Sequence, residues 1–357
     1  MGATLKDVAL KAGVSVKTVS NVVNGYIHVT EEMRERVHSA LKELNYQPNL
    51  PARYLRTKHV GVLAFVIPDL SNAYFSDIGN AVIDAAASQS YTVLIDHCHG
   101  ERSKELLVVN GLRPHLIDGI ILHPIALQAE DLRERTAKIP LVLLGEHSLD
   151  VPYDHITIDN IAAARLATAH LLAIGKRRIA AIGAPEGGLQ HSQPSTNVLG
   201  SVETARLRLE GYVQALAEAG MPLDPQLVVY PGPTNETCDL FYKREGGAEA
   251  MRQLLKLKEP PDAVFCFNDL MALGVIRTLH QAGLRIPEDV AVIGYDDIEE
   301  GRYATPSLTT SAPDKKQLGV LAASFLIGRI NETRTGPPET IEVPFQLIVR
   351  ESTQGRR

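Results

Sequence analysis

The chain has 357 residues, of which 45% are hydrophobic and none is Trp, and its formal net charge is −6. This length predicts more than one domain. Because no apolar run is long enough to span a membrane and the N-terminus lacks a signal peptide, we expect a cytoplasmic protein rather than a membrane or secreted one. Three cysteines without metal-ligand spacing favour free thiols: Cys98, Cys238 and Cys266.

The charge is unevenly distributed. Residues 1–58 contain nine of the 36 basic and five of the 42 acidic side chains, so this segment carries +4 and the remainder −10. A basic segment on an acidic body confines electrostatic attraction for DNA to one end of the molecule.

Two short helices joined by a tight turn are predicted within residues 4–24. Gly13 permits a left-handed turn, and Ser15 is suited to cap the second helix. The apolar face of the first helix comprises Leu5, Val8, Ala9 and Ala12. The second helix is predicted to expose Val16, Lys17, Ser20 and Asn21. This pattern indicates a helix-turn-helix, with an ordinary helical hairpin as the alternative.

A third helix is predicted from Thr30, its N-cap, with an apolar stripe at Val37, Leu41 and Leu44. Three helices in under fifty residues are typical of a small DNA-reading module. The basic segment that follows, residues 45–59, is either a solvated linker or a conditional helix, because it is too short to form a stable helix alone.

From Val60 onward, buried strands and helices alternate, which indicates parallel sheets flanked by helices. The strands form two sets, so we predict two subdomains. The first set is Val60–Ile67, Tyr91–Ile95, Gly119–Leu122, Leu141–Leu144 and Tyr153–Ile158. The second is Arg178–Ile182, Leu227–Tyr230, Ala263–Phe267 and Val290–Gly294. The helices between them are Ser76–Ala87, Leu127–Ala137, Ile161–Leu172, Leu207–Ala219, Gly247–Leu255 and Met271–Gln281.

Polar residues follow these strands repeatedly, and ligands bind beyond the carboxyl ends of open parallel sheets. Examples are Asn72, His123, Asp159, Asn268 and Asp296. The sequence therefore predicts a small-molecule site beyond the carboxyl ends of these strands.

Specific motifs run through both parts of the chain. The N-terminal ones are Thr4–Ala9, Ala12–Ser15, Thr18–Ser20, Val23–Asn24 and Leu44–Asn49. The later ones are Ile67–Phe75, Thr204–Tyr212, Phe267–Gly274, Val292–Asp297 and Thr305–Thr310. On these motifs the chain resembles the LacI/GalR family of transcriptional repressors.

The resemblance implies an N-terminal all-α helix-turn-helix domain and an α/β effector domain similar to periplasmic sugar-binding proteins, built of two doubly wound parallel-sheet subdomains. We expect the first domain at residues 1–46, a hinge at 47–59 and the effector domain at 60–357. Within the latter, the first subdomain is expected at about 60–159 and 294–320, and the second at about 160–291 and 322–350. Chain crossings are expected near 159–161, 291–294 and 319–323.

The family's DNA contacts carry over to residues of the helix-turn-helix and the hinge. They are Thr4, Ser15, Val16, Lys17, Thr18, Ser20, Asn21, Asn24, Tyr46, Asn49, Ala52, Arg53, Leu55 and Arg56. Asn21 replaces the Arg most common at its position; because Asn favours adenine and Arg guanine, the half-site is expected to differ from the family's usual one. Leu55 matches the Leu that wedges into the minor groove.

The resemblance also implies a set of effector contacts: Asn72, Tyr74, Phe75, Arg208, Asn268 and Asp296. A planar guanidinium, a carboxylate, amides and aromatic rings suit a sugar, and a purine would satisfy similar groups. Each residue also has a purely structural alternative: Asp296 as a turn cap, Arg208 as a surface cation, and Tyr74 or Phe75 as core of a dimer interface. Two long stretches, Pro185–Ser201 and Asn235–Gly246, favour an effector larger than a monosaccharide.

Other chemistry has little support. The His97-Cys98-His99 run lacks a third ligand and is interpreted as a polar strand end, and neither a nucleotide fingerprint nor a nucleophile elbow is present. We therefore expect no cofactor, no metal and no catalysis. A sugar transport receptor would explain only the body of the chain, and a sugar-converting enzyme remains an alternative because fold does not fix activity. The expected protein is an allosteric homodimer on near-palindromic operator DNA, without a tetramerising coiled coil.

Overall fold

The computed structural model describes residues 3–23, 29–46, 59–111, 116–145, 150–188, 199–232 and 243–355, with the backbone alone for 199–202. The chain divides into two compact units, residues 1–60 and 61–357. Among the described residues, no helix combines the length and apolar character needed to cross a membrane. Cys98 and Cys266 are free, buried thiols, and Cys238 lies outside the described residues.

The described part of the first unit contains three helices, α1 (Leu5–Ala12), α2 (Val16–Val23) and α3 (Glu31–Glu43). Thr4 and Asp7 form a capping box at the start of α1, and the Thr30 hydroxyl accepts a hydrogen bond from the Met33 amide at the start of α3. The buried apolar side chains of all three helices form one core: Val8, Ala9, Ala12, Val19, Val22, Val37 and Ala40.

The second unit contains two six-stranded sheets. The first sheet has the order β11-β5-β4-β3-β1-β2 and is parallel throughout. Its strands are β1 (Val62–Ile67), β2 (Thr92–His97), β3 (Gly119–Leu122), β4 (Leu141–Leu144), β5 (Asp154–Ile158) and β11 (Thr340–Val343).

The second sheet has the order β12-β10-β9-β8-β6-β7. Its strands are β6 (Ile179–Ile182), β7 (Val228–Val229), β8 (Ala263–Cys266), β9 (Ala291–Tyr295), β10 (Thr309–Pro313) and β12 (Phe345–Ile348). Only the pairing of β10 with β12 is antiparallel. Both sheets have the layered α/β arrangement that the alternation predicted.

Helices cover the faces of both sheets. They are α4 (Ala73–Ser88), α5 (Arg102–Val109), α6 (Ala129–Arg133), α7 (Asn160–Ala173), α8 (Leu199–Glu218), α9 (Arg244–Leu254), α10 (Asp269–Gln281), α11 (Glu299–Arg302), α12 (Lys315–Ile330) and α13 (Glu351–Gln354). Helices α4 and α12 share an apolar core with the first sheet, whereas α7, α8, α9 and α10 pack in the core of the second.

The predicted assignment of the later segments to the two subdomains was wrong. The residues of β10, which were expected in the first subdomain, pair with β9 in the second sheet. β9 itself pairs with β8, as its place in the second predicted set of strands implied. Helix α12 and β11 join the first sheet, and β12 returns to the second. The chain therefore crosses after β5, between β10 and α12, and between β11 and β12. Alternation of strands and helices does not reveal which sheet a strand joins, and this caused the error.

Most predicted elements lie close to observed ones. All nine predicted strands correspond to β1–β9, and the helix predicted at Leu127–Ala137 is shorter, at Ala129–Arg133. The prediction omitted β10, β11, β12 and helices α5, α11, α12 and α13. The two long stretches around 189–198 and 235–242 lie outside the described residues.

Candidate DNA-reading and effector sites

The turn between α1 and α2 is stabilised by α3. Gly13 has φ +65°, the left-handed conformation that L side chains rarely adopt. The guanidinium of Arg36 on α3 donates hydrogen bonds to the carbonyls of Ala12 (2.6 Å) and Gly13 (3.2 Å). A β-carbon at Gly13 would lie 2.6 Å from this guanidinium. Gly13 and Arg36 therefore determine the direction in which α2 leaves the turn.

Helix α2 exposes one polar face. Val19 and Val22 are buried, so the opposite side of the helix is turned to solvent. The Ser15 hydroxyl accepts a hydrogen bond from the Thr18 amide (3.0 Å), which caps the helix start. Val16 and Lys17 are exposed, while Thr18, Ser20 and Asn21 are half-buried. Hydroxyl, amide and ammonium groups on a helix N-terminus can contact base edges and phosphates.

The remaining predicted DNA contacts divide into two groups. Thr4 is an N-cap whose hydroxyl hydrogen-bonds Asp7, and this bond lowers the pKa of the Asp7 carboxyl. Tyr46 is half-buried against the core of the first unit. The others lie outside the described residues: Asn24, Asn49, Ala52, Arg53, Leu55 and Arg56.

The second unit presents an aromatic group at the carboxyl edge of the first sheet. Asn72 caps α4, and its side-chain oxygen accepts a hydrogen bond from the Tyr74 amide (3.1 Å). The rings of Tyr74 and Phe75 meet edge to face at 5.2 Å, and Phe75 meets His123 in the same way at 5.0 Å. Both rings pack in the core of the first sheet.

His123 follows β3 and begins a loop that a buried carboxylate stabilises. Glu105 on α5 is fully buried, and its carboxylate accepts hydrogen bonds from the amides of Ile125, Ala126 and Leu127 at 2.9 to 3.1 Å. Burial raises the pKa of Glu105 although these amides oppose the shift. The three hydrogen bonds to Glu105 hold the loop that His123 begins.

At the second sheet, the polar contacts centre on the guanidinium of Arg208, on α8. Arg208 is only 4% exposed, so its interpretation as a surface cation was wrong. Its Nε donates to the side-chain oxygen of Asn160 (2.7 Å), and Nη1 donates to the carbonyl of Phe267. Its central carbon lies 3.5 Å from the ring centroid of Tyr295. The guanidinium thereby contacts α7 and residues at the carboxyl ends of β8 and β9.

Asn268 and Asp296 follow β8 and β9. Asn268 is buried, and its side-chain oxygen accepts a hydrogen bond from the Met271 amide (2.8 Å), so it caps α10. Asp296 has φ +111° and Asp297 has φ +52°, two consecutive strained residues. Arg302 and Arg350 both pair with the carboxylate of Asp297 at 2.6 Å.

Asp269 is buried beside this turn. Its carboxylate accepts hydrogen bonds from the Thr310 hydroxyl (2.7 Å) and the Ile298 amide (2.9 Å). Burial raises the pKa of Asp269 to about 7, and the nearby charge of Asp297 acts in the same direction. The hydrogen bonds and the Lys315 charge oppose that shift.

The six predicted effector contacts form two groups, one on each sheet, and both groups lie at carboxyl ends of strands. Tyr74, Phe75 and Asn72 belong to the first group; Arg208, Asn268 and Asp296 belong to the second. The six predicted effector contacts did not include three partners in these groups: His123, Asn160 and Tyr295. His123 had been noted only as a polar residue at a strand end. His123 and Tyr295 each follow or end a strand, which is a signal available in the sequence, whereas the Asn160 contact depends on the packing of α7 against α8.

Two family models match the chain. That of bacterial regulatory proteins of the lacI family matches residues 4–49, and that of the periplasmic binding protein-like domain matches residues 168–353. The HTH-type transcriptional repressor CytR of Escherichia coli (strain K12) is 32% identical over 353 residues, which cover 99% of this chain and 96% of CytR. The chain belongs to the LacI family. The ribose operon repressor of the same strain is 35% identical over 332 residues, covering 92% of this LacI-family regulator and 94% of that protein.

Solved structures of LacI-family regulators have the same fold. The lac repressor dimer bound to operator and the anti-inducer ONPF has a TM-score of 0.78 and 28% identity, over 99% of both chains. The complex of the regulator CelR with cellobiose has a TM-score of 0.68 and 32% identity, over 98% of this chain and 99% of that one. A regulator from Enterococcus faecium with bound ribose has a TM-score of 0.67 and 26% identity, over 81% and 97%. Members of this family regulate transcription, and the present chain is a DNA-binding transcriptional regulator of this kind.

Proposed function

We propose that this LacI-family regulator represses transcription as a homodimer on a near-palindromic operator, and that a sugar bound between its two sheets changes its operator affinity. The observation that carries the effector part is the buried guanidinium of Arg208, placed against Tyr295 and Asn160 at the carboxyl edge of the second sheet. The helix-turn-helix of the first unit supplies the DNA-reading part.

The exposed face of α2 is the proposed base-reading surface. Val16, Lys17 and Asn21 lie on it, and the adjacent Ser15, Thr18, Ser20 and Thr4 are placed for phosphate contacts. The +4 charge of residues 1–58 supports this role. We extend the proposal to Asn24, Tyr46 and the hinge residues Asn49, Ala52, Arg53, Leu55 and Arg56 on the family resemblance.

A sugar suits the two groups of side chains at the strand ends. Hydroxyls of a sugar can accept from a guanidinium or amide and donate to a carboxylate, and a sugar ring can pack on an aromatic face. The groups comprise Asn72, Tyr74, Phe75, Arg208, Asn268 and Asp296. Ribose and cellobiose are bound in two related regulators. A purine would use the same groups, with its ring nitrogens in place of hydroxyls.

The mechanism we propose is a shift between two arrangements of the subdomains, linked by three chain crossings. An effector that changes operator affinity 10 to 100-fold needs a coupling free energy of only about 1.4 to 2.8 kcal/mol. No catalytic step and no cofactor are required. Because operator DNA lies in the cytoplasm of a bacterium, we place the regulator there.

Two measurements test this proposal. Selection of bound duplexes from random DNA should return a near-palindrome with two half-sites about one helical turn apart. Calorimetry with a panel of monosaccharides, disaccharides, nucleosides and nucleobases should then find binding by a sugar. Selection that returns no consensus would refute the DNA-reading role. Binding by nucleobases alone would replace the sugar with a purine, and conversion of the bound sugar would support an enzyme instead.

A further inference from the structure

Lys315 lies at the point where the chain crosses from the second sheet to the first. It is the first residue of α12, two residues after β10 ends at Pro313. Its side chain is only 12% exposed. A buried ammonium at a helix N-terminus is unfavourable both for its lost hydration and for the helix dipole, so its partners must compensate.

Those partners come from both sheets. The ammonium pairs with the carboxylate of Asp77 on α4 (2.5 Å) and donates to the backbone carbonyl of Asp297 (2.8 Å). Helix α4 packs on the first sheet, and Asp297 follows β9 of the second. By contrast, Arg329 and Asp154 form a more buried pair that joins α12 to β5. Both of these elements belong to the first sheet and its helical layer.

Each partner is close to a proposed effector contact. Asp77 lies one helical turn beyond Tyr74 on α4. Asp297 directly follows Asp296, in the turn where both residues have positive φ. Such a turn persists only where its surroundings determine it.

Hydrogen bonds hold this turn from two sides. The amides of Asp296 and Asp297 donate to the Ser311 carbonyl (2.8 Å) and the Thr310 hydroxyl (3.3 Å), both on β10. Lys315 holds the Asp297 carbonyl on the other side. The bonds from β10 are made within the second sheet, whereas the bond from Lys315 also connects the turn to α4 through Asp77.

We propose that Lys315 is a positioning residue that joins the two halves of the effector site. Through Asp77 and the Asp297 carbonyl, it sets the position of the Asp296 turn relative to the helix that begins with Tyr74 and Phe75. Its role in regulation rests on the proposed function, since a change in that relative position must reach the operator through the rest of the protein.

Hydrogen exchange of the full-length protein tests the linkage without any ligand. In K315M, which keeps the length of the side chain but removes its charge and donors, we expect amides of residues 74–80 and 296–302 to exchange about three to ten times faster, as for the loss of a charge-assisted hydrogen bond. The matched control is K316M, because Lys316 is the adjacent, exposed lysine. K315R should restore the exchange rates of the native protein.

The pattern of exchange decides the linkage. Faster exchange in both segments of K315M, together with native exchange rates in K316M, supports the linkage. A change confined to one segment, or equal changes in K315M and K316M, would overturn it. If K315M does not fold, D77N replaces it: this substitution alters a 43% exposed carboxylate, and it should also accelerate exchange in residues 296–302, across the crossing. No change there would overturn the linkage.

Operator affinity tests the regulatory role. On a duplex recovered by selection, and without effector, K315M should change the dissociation constant at least about threefold, while K316M should not. An unchanged constant in a folded K315M would overturn that role. Failure of the native protein to bind any selected duplex would instead refute the proposed function, and the exchange experiment would still decide the linkage.

Discussion

The guanidinium of Arg208 lies over the ring of Tyr295, with 3.5 Å between its central carbon and the ring centroid. Cation–π contact of this kind stabilises a buried arginine by roughly 0.5 to 2 kcal/mol. The planar group also donates to Asn160 and to the Phe267 carbonyl. Arg208 therefore joins α8, α7 and the ends of two strands at the edge where we place the effector.

Replacing Arg208 with Lys should weaken effector binding roughly 10 to 100-fold, because a lysine cannot reproduce the planar fork. Calorimetry with the identified effector measures this loss. The matched control is Arg206→Lys on the same helix, where Arg206 forms exposed ion pairs with Glu203 and Glu210. Equal effects of the two substitutions would show that Arg208 has no special role.

Replacing Asn21 with Ala should relax operator specificity at one base pair of each half-site, by about 1 to 3 kcal/mol. Asn21 is half-buried on the polar face of α2 and can pair with adenine through its amide. Anisotropy titrations on operators varied at single positions measure the effect. A uniform loss of affinity for all operators would instead identify Asn21 as a phosphate contact.

Replacing Arg36 with Met should destabilise the first unit by about 1 to 3 kcal/mol, since the carbonyls of Ala12 and Gly13 lose a charged donor. Thermal unfolding and operator binding should both decline. The control is Lys42→Met, because Lys42 is exposed near the end of the same helix. Arg34 is not a suitable comparison, because it is half-buried and pairs with Glu31. An unaltered melting temperature in the Arg36 variant would contradict this account of the turn.

Asp269 should make the stability of the second unit depend on pH. Its pKa is about 7 in the folded protein against an ordinary value of 3.8, so the folded state retains a proton that the unfolded state releases. Stability should fall as the pH rises from about 4 to about 7, by at most about 1.4 kcal/mol per unit, and then level off. Asp269→Asn should remove this slope in chemical denaturation, whereas Asp84→Asn, at an exposed site, should keep it. Identical slopes in the two variants would exclude Asp269 as its source.

Replacing Glu105 with Gln should destabilise the loop of residues 125–127, because an amide cannot accept three backbone hydrogen bonds and places a donor against them. We expect a loss of about 1 to 3 kcal/mol and faster hydrogen exchange at those three amides. Glu101→Gln, at an exposed carboxylate of the same helix start, is the control. Unchanged exchange in Glu105→Gln would show that other contacts hold the loop.

Local patterns predicted the elements well. Gly13, Ser15 and Thr30 marked helix ends because their roles depend on short-range backbone geometry. The apolar runs predicted nine strands, because the pattern of a buried strand is also local in the sequence. The sheet membership of β10 and β11 was not predicted, since membership in a sheet depends on contacts between distant segments.

The proposed effector site shows the same division. Asn268 and Asp296 could be found at strand ends, and their motifs occur in the sequence. The burial of Arg208 under α7 and the link from Lys315 to Asp77 could not, because they depend on how separate helices pack. Asp77 and Lys315 are 238 residues apart in the chain.

The central claim is that one small molecule, held at the strand ends, controls operator affinity. The most direct measurement is the operator dissociation constant of the native protein and of Arg208→Lys, with and without the sugar that calorimetry identifies. We predict a change of about 10-fold or more in the native protein, and a much smaller change in the variant at the same sugar concentration. A native protein whose operator affinity does not respond to a sugar it binds would contradict the account.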